Sequence, residues 1–351
     1  MKTIKDLDIK NKTILVRVDY NVPIKNGKVA NDLRIRASLP TLEYLRQHGA
    51  EKIILISHLG RPEGKKDPSL SLKPVATALS KLIPNVNFID DISKPAVQTA
   101  TNSLKNGAIL LLENLRFDPG EEANSSDFIH KIITATNADI YVQDGFAVIH
   151  RAHASTDAIK KYLPIYAGLL LEKEIQNLST TIKAPTKPLL LIIGGAKVED
   201  KQPLIEKFLP LADHIVVGGK ISADGYTSQN PKIYVAEDFD EDSSGQKLDV
   251  GPLSTTKIAG YITDANTIIW NGLLGKAEDP AYATASTIVA EMLGEKSNAT
   301  TIICGGDTTG FVENLITTHP NLHYSLVSTG GGAALEFLLG KSLPGLEAIV
   351  K

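Results

Sequence analysis

The sequence predicts an α/β protein of two successive domains, each a parallel sheet covered by helices. Three observations carry this. Short β-branched apolar runs recur along the whole chain, stretches of helical spacing lie between them, and 351 residues exceed one ordinary core. Near-continuous apolar strands alternating with helices are buried on both faces, which is the parallel arrangement.

The elements follow in order. Thr13–Val18 is a strand ending at Asp19. Residues 34–48 place Ile35, Leu39, Leu42 and Leu45 on one helical face, and Gly49 stops them as a C-cap. Ile53–Ile56 runs into Ser57-His58-Leu59-Gly60-Arg61, Ala108–Leu112 into Glu113-Asn114, and Ile140–Val142 into Gln143-Asp144. Ala167–Leu178 reads as an amphipathic helix with Glu172, Lys173 and Glu174 exposed, and Thr180–Pro188 as a linker with two prolines. A second set of strands begins at Leu189–Ile193. Each of its members is closed by glycine: Gly194-Gly195, Gly218-Gly219, Gly272, Gly305-Gly306 and Gly330-Gly331-Gly332. Asp238–Gly251, acidic and bearing Ser and Gly, reads as a surface loop.

No apolar run approaches the roughly 18 residues that cross a bilayer, and the first residues show no apolar signal core. The lone Cys304 has no internal disulfide partner, which fits a reducing cytoplasm. The expected class is a soluble cytoplasmic protein without membrane partners.

Charge narrows the function. The net charge of −3 divides into +5 over residues 1–168 and −8 over the rest. All seven arginines (17, 34, 36, 46, 61, 116 and 151) lie in the first part. Guanidinium forks suit small carboxylates and phosphates, so an anionic ligand on the first half is expected. A nucleic acid is not, because basic stripe and aromatic platform are both missing.

Glycine after a parallel strand lets backbone N–H groups approach an anion at a helix N-terminus. Gly330-Gly331-Gly332 opens an apolar helix; Gly305-Gly306-Asp307-Thr308 adds a carboxylate for a metal and a hydroxyl for an N-cap. Gly194-Gly195-Ala196-Lys197, with Lys201 one helical turn on, supplies two ammonium groups on one face. Any one of these could be an ordinary tight turn, but together they favour a phosphate-rich ligand such as a nucleotide. Neither GxxxxGK[ST] nor GxGxxG is present, which excludes a P-loop and weakens a dinucleotide dehydrogenase. His150 and His153 flank Arg151, and a cation between them argues against a metal site.

Taken together, several strings resemble the phosphoglycerate kinase family over nearly the whole chain. They are VRVDYNVP from Val16, DLRIRASLPTLEYL from Asp32, SHLGRP from Ser57, LLENLRFDPGEE from Leu111 and QDGFAVIHRAHAST from Gln143. They continue with AGLLLEKEI from Ala167, GGAKVEDK from Gly194, WNGLLGKAE from Trp270, CGGDTTG from Cys304 and STGGGAALEFLLGKSLPGLEAI from Ser328.

The resemblance implies two Rossmann-like domains joined by a long helix and hinge. Their expected extents are an N-terminal glycerate-binding domain (1–166, with the tail 338–351 packing back on it), the helix (167–180) and a C-terminal nucleotide-binding domain (181–337). It implies reversible phosphoryl transfer between 1,3-bisphosphoglycerate and ADP, direct and in line, with domain closure. By the same resemblance Asp19 and Asn21 hold the glycerate's hydroxyl and carboxyl region, while His58, Arg61, Arg116 and Arg151 clamp its anionic groups. Arg34 is the implied catalytic arginine, and Arg36 belongs to the helix surface. Lys201 is implied to meet the nucleotide phosphates and Lys197 the phosphoryl group in flight. Asp307 is implied to hold Mg²⁺, Glu278 the ribose, and Gly305, Gly306 and Thr308 phosphate oxygens. Gly195, Gly218 and Gly219 complete the implied nucleotide site, and the Gly330, Gly331 and Gly332 turn surrounds the transferring group. The implied partners are small molecules alone, and a monomer is expected.

The chain departs from the family pattern in one large respect. Between Gly219 and Tyr234 it is shorter by several tens of residues, in a segment that helps line the base pocket, so nucleotide preference stays open. Ala147-Val148-Ile149, Leu273-Leu274, Lys276-Ala277, Glu199 and Cys304 are smaller departures. The alternative is a degenerate member that binds nucleotide or phosphoglycerate with little catalysis.

Overall fold

The structure is a computed structural model that describes residues 1–350. The chain divides into two compact units, one of residues 1–173 with the segment from Ser342 onward, the other Glu174–Lys341.

The first unit carries strands β1 (Thr13–Arg17), β2 (Ile24–Lys25), β3 (Lys28–Val29), β4 (Lys52–Ile56), β5 (Val86–Ile89), β6 (Ala108–Leu112), β7 (Ile140–Gln143) and β8 (Ile165–Ala167). Six form one parallel sheet in the order β5-β6-β4-β1-β7-β8; β2 and β3 make a small hairpin. Its helices are α1 (Leu33–Gln47), α2 (Lys73–Leu79), α3 (Lys94–Ser103), α4 (Pro119–Glu122) and α5 (Ser126–Thr136). Every residue of β1 and β6 is buried, which requires cover on both faces. The register sets Arg17 beside Ile56 and beside Gln143, so β1, β4 and β7 end level and their following residues share one edge.

After α6 (Leu169–Lys183) the second unit repeats the plan with β9 (Leu189–Ile193), β10 (His214–Val217), β11 (Ile233–Val235), β12 (Phe239–Glu241), β13 (Lys247–Val250), β14 (Thr267–Asn271), β15 (Thr300–Cys304) and β16 (Leu326–Val327). The parallel sheet runs β11-β10-β9-β14-β15-β16. Helices α7 (Gln202–Phe208), α8 (Gly219–Ala223), α9 (Pro252–Asp264), α10 (Thr284–Glu295), α11 (Gly306–Thr318) and α12 (Gly331–Leu338) belong to it. The last helix, α13 (Glu347–Val350), returns to the first unit, where Gly345 N–H donates to Ile149 O at 2.8 Å and Lys2 N–H to Ile349 O at 2.9 Å.

Three expectations need correction. Helix α6 runs to Lys183, beyond the linker expected from Thr180, because nothing breaks it before Pro185; the Thr181 hydroxyl donates back to Asn177 O at 2.8 Å. Glu172 and Glu174 are buried rather than exposed. Lys5 pairs with Glu172 at 2.7 Å, and the Thr329 N–H and hydroxyl both donate to Glu174 Oε1 at 2.8 Å. Residues 238–251 are no loose loop but the antiparallel hairpin β12–β13. Its turn is the Asp242–Gly245 stretch, where Ser244 N–H donates to Asp242 Oδ1 and Gly245 takes φ +81°. Turn residues at its tip mask the strands on either side.

Asp144, just past β7, caps α6: Leu170 and Leu171 donate to its Oδ1 at 3.0 and 3.3 Å, and the carboxyl is wholly buried. Burial pushes the carboxyl up to about 7. An unfolded aspartate titrates near about 3.9, so the folded chain binds the extra proton between those values, and stability falls as pH rises from about 4 through about 7. Asp144→Asn keeps the accepting oxygen and removes the ionisation. Urea unfolding should show it more stable than the parent at pH 8 by at least about 1 kcal/mol, with the gap closing at pH 5. A variant less stable at pH 8 would mean that the carboxylate is held ionised.

Candidate functional site

In the first unit the polar residues beyond β1, β4 and β7 gather at one edge. Asp19 is buried; its Oδ2 accepts from Arg34 Nη1 at 2.6 Å and its Oδ1 from Asn21 N–H at 3.1 Å. Arg34 sits in the first turn of α1 and also reaches Asn21 O at 3.3 Å. The Gly60–Arg61 turn is gripped from both sides, Gly60 N–H donating to Asn21 Oδ1 at 2.9 Å and Arg116 Nη1 to Gly60 O at 2.8 Å. Arg116 is buried with its Nε 3.1 Å from Glu122, whereas Arg61 is exposed and Arg151 half-buried, with its Nε on His150 Nε2 at 3.3 Å.

His58 is buried, and burial first, then the charges of Arg17, Arg116, Arg151 and Arg34, hold its pKa well below the usual value. Burial first, then Arg116, Arg151, Arg17 and His150, press His153 down to about 4. Positive charge gathered in this way suits an anionic ligand. The sequence-predicted set of Asp19, Asn21, Arg34, His58, Arg116 and Arg151 is thus held at one edge, with Arg61 on the exposed side of the turn. Arg36 lies apart, exposed and paired with Asp32 at 3.0 Å. Arg17, not singled out from the sequence, lies buried beneath.

In the second unit the glycine turns meet one another. A Cβ on Gly194 would lie 2.2 Å from Leu273 O, and one on Gly272, at φ +107°, 2.1 Å from Gly194 O. Only bare backbone lets β9 and β14 end this close. Gly331 likewise abuts Gly306 N and Gly305. Around these turns is a cavity of about 510 Å³ lined by Gly195, Lys197, Lys201, Gly219, Glu278, Gly305, Gly306, Asp307 and Thr308. Gly218 stands behind it against Leu274, and Gly330–Gly332 form the cap and first turn of α12. The hairpin β12–β13 contributes Phe239, Gln246 and Lys247, and Lys220 and Lys276 add two further ammonium groups.

Two local expectations change here. Lys197 and Lys201 do not share a helix face, since α7 begins only at Gln202, with Pro203 in its first turn; Lys201 is the residue before it. Thr308 does not cap α11. Gly305 at φ +97° is the N-cap, and the buried Thr308 hydroxyl accepts from Gly272 N–H at 2.8 Å, tying two glycine turns together. Lys201 Nζ is bound to Asn271 Oδ1, and burial lowers its pKa. Asn271, whose Nδ2 donates to buried Cys304 Sγ at 3.3 Å, carries no signal of this role in the sequence, because both partners are distant in the chain.

A family model described as phosphoglycerate kinase matches residues 4–233 and again 222–341. The chain belongs to the phosphoglycerate kinase family. It is 40% identical over 395 aligned residues to the phosphoglycerate kinase of Moorella thermoacetica, covering 99% of both chains. It is 39% identical to that of Coprothermobacter proteolyticus, over 100% of this chain and 99% of the relative. The solved phosphoglycerate kinase of Pyrococcus horikoshii OT3 superposes with a TM-score of 0.87 at 27% identity, over 100% of this chain and 98% of that one. That of Coxiella burnetii gives 0.79 at 33%, over 99% and 98%. The difference between 395 aligned positions and 351 residues leaves at least 44 positions without a counterpart here. The two matched pieces overlap at 222–233, the connection between α8 and β11, which is the short stretch noted in the sequence.

Gly272→Ala tests the backbone contact. A methyl group 2.1 Å from Gly194 O, on a backbone that only glycine adopts readily, should cost roughly 2–4 kcal/mol in urea unfolding. A cost below ~0.5 kcal/mol would show that the turns can part.

Proposed function

We propose that this chain catalyses reversible phosphoryl transfer between 1,3-bisphosphoglycerate and ADP, yielding 3-phosphoglycerate and ATP. The observation that carries the reading is the pair of complementary sites: arginines about Asp19 and His58 on one unit, and a cavity with lysines, Asp307 and bare glycine turns on the other. Family membership gives the reaction; the residues suit it chemically.

On this reading Asp19 and Asn21 receive the glycerate hydroxyl and carboxyl region, and His58, Arg61, Arg116 and Arg151 its anionic groups. Lys201 meets the nucleotide phosphates, Glu278 the ribose, and Gly195, Gly218, Gly219, Gly305, Gly306 and Thr308 supply the close backbone around them. Asp307 is exposed on the cavity wall, in the first turn of α11, without a hydrogen bond or ion pair among the described residues. A single carboxylate beside substrate phosphates is the donor set Mg²⁺ prefers, so Asp307 would hold it, and the ion would neutralise phosphate charge.

No protein nucleophile is required. Charge spreads over the oxygens of the phosphoryl group in flight, and the chain supplies position and fixed positive charge. Arg34, oriented by Asp19 at 2.6 Å, would stabilise that charge from the glycerate side, and Lys197 and the N–H groups at Gly330, Gly331 and Gly332 from the nucleotide side. The reaction also needs water kept out while the acyl phosphate exists. The single cysteine fits a reducing compartment, and we place the reaction in the cytoplasm, with the chain acting as a monomer.

A coupled assay with 3-phosphoglycerate, MgATP and glyceraldehyde-phosphate dehydrogenase tests the reaction directly. Arg34→Ala and Lys197→Ala should lower kcat by 10²-fold or more, roughly, while each substrate's dissociation constant moves far less. Arg61→Ala and Arg151→Ala should instead weaken 3-phosphoglycerate, each by roughly 1.5–3 kcal/mol in calorimetry. The reverse pattern would exchange the binding and catalytic roles.

Base selection should be loose. The polar Gln246, Lys247 and Lys220 line the cavity, relatives carry a longer segment after α8, and selectivity is a difference of contacts. We expect specificity constants for ATP, GTP and ITP within roughly tenfold, or ~1.4 kcal/mol. A hundredfold preference for ATP would show a fully formed adenine slot.

A further inference from the structure

His58 can offer an anion either ring nitrogen, and as a cation or a neutral ring. We propose that Arg17 is a positioning residue that holds the His58 imidazole neutral in its Nε2–H form, so that the ring meets the substrate as one uncharged donor. This rests on the reading of the site as one for phosphoglycerate.

Arg17 ends β1 and is 1% exposed. Each of its three nitrogens donates: Nε to Ser155 Oγ at 2.9 Å, Nη1 to Val18 O at 2.5 Å and Ser57 Oγ at 3.5 Å, and Nη2 to His58 Nδ1 at 3.2 Å. A guanidinium has no lone pair to offer, so His58 Nδ1 must be the acceptor and the ring proton must reside on Nε2. Protonating Nδ1 would set two donors face to face in a buried site.

The orientation of Arg17 is itself determined. The Ser155 hydroxyl donates to Glu121 Oε1 at 2.6 Å and its N–H to Glu121 Oε2 at 3.0 Å, while the Tyr141 hydroxyl donates to Ser155 O at 2.5 Å. With its proton committed to Glu121, the Ser155 oxygen can only accept from Arg17. Donation therefore runs one way, from Arg17 outward in both directions, and Glu121, fully buried, balances the guanidinium's charge through Ser155.

The other charged groups near the ring do not reverse this. Asp19 Oδ1 is 3.8 Å from Nδ1, outside hydrogen-bond range, and is already taken by Asn21 N–H. Arg34, Arg116 and Arg151 are all cations, and each disfavours an imidazolium. A neutral donor has a use here: the arginines provide the charge for the anion, while the ring adds direction that is constant across the working pH range.

The test is the side-chain ¹⁵N spectrum of His58 from about pH 5.5 to 8. The expected result is an unprotonated Nδ1, a protonated Nε2 and no titration; an Nδ1–H tautomer, or an imidazolium forming near 6.5, overturns the proposal. The double variant Arg17→Met/Glu121→Gln removes both buried charges together, so that neither is stranded. In it His58 should titrate at least one unit higher than in the parent. KM for 3-phosphoglycerate should rise about tenfold at pH 8 and recover toward pH 6, with kcat within about twofold. An unchanged tautomer and pKa in the folded double variant also overturns it. The parent spectrum decides the tautomer whether or not that variant folds. Because it is read without substrate, the expected spectrum alongside a failed assay speaks for the tautomer and against the reaction.

Discussion

The level ending of the central parallel strands is the constraint on which the rest of this structure depends. Parallel pairing with the register Arg17–Ile56 and Arg17–Gln143 brings three separate stretches of chain to one edge, and Ile193–Asn271–Cys304 does the same in the second unit. Side chains at the strand ends then need no long loops to converge. The first unit uses that edge for arginine, histidine and aspartate, and the second for glycine. The contrast is chemical. A small anion is held by charged forks, whereas a phosphate chain also needs N–H groups that come close only where no Cβ intervenes.

Charge burial is the second theme, and it is balanced by partners rather than avoided. Arg17 and Glu121 are both buried and are linked through one serine. Removing either alone would leave an unpaired charge, the costlier case. Glu113 shows a milder version: buried, it accepts from the Ser71 hydroxyl and from the N–H groups of Leu72 and Asn114. Such networks tie the strand ends to the following turns and fix the shape of that edge.

The cavity of the second unit is held together by a few close contacts. One end is built from the glycine turns after β9, β14 and β15, which pack on one another and on Gly219 at the start of α8. The far wall is a hairpin whose buried Asp249 accepts from Ala285 N–H at 3.0 Å and so anchors the start of α10. Gly275 packs against that same carboxylate, 2.1 Å from where its Cβ would be. One buried aspartate therefore joins the hairpin, α10 and the loop after β14.

Much was legible in the sequence because the physics there is local. Apolar runs of five residues, helical spacing, glycine after strands and the confinement of arginine to the first half each follow from neighbours in the chain. Together they were enough for the parallel α/β plan and for family membership. What local pattern could not decide was anything set by a distant partner. Glu172 and Glu174 looked solvent-facing until Lys5 and Thr329 met them, and residues 238–251 looked like a loop until β12 found β13. Thr308 looked like a cap until Gly272 claimed its hydroxyl. Arg17 is the clearest case. As a residue it was one arginine among seven; its role comes from Ser155 and His58, 138 and 41 residues away, which only the folded sheet brings within hydrogen-bond reach.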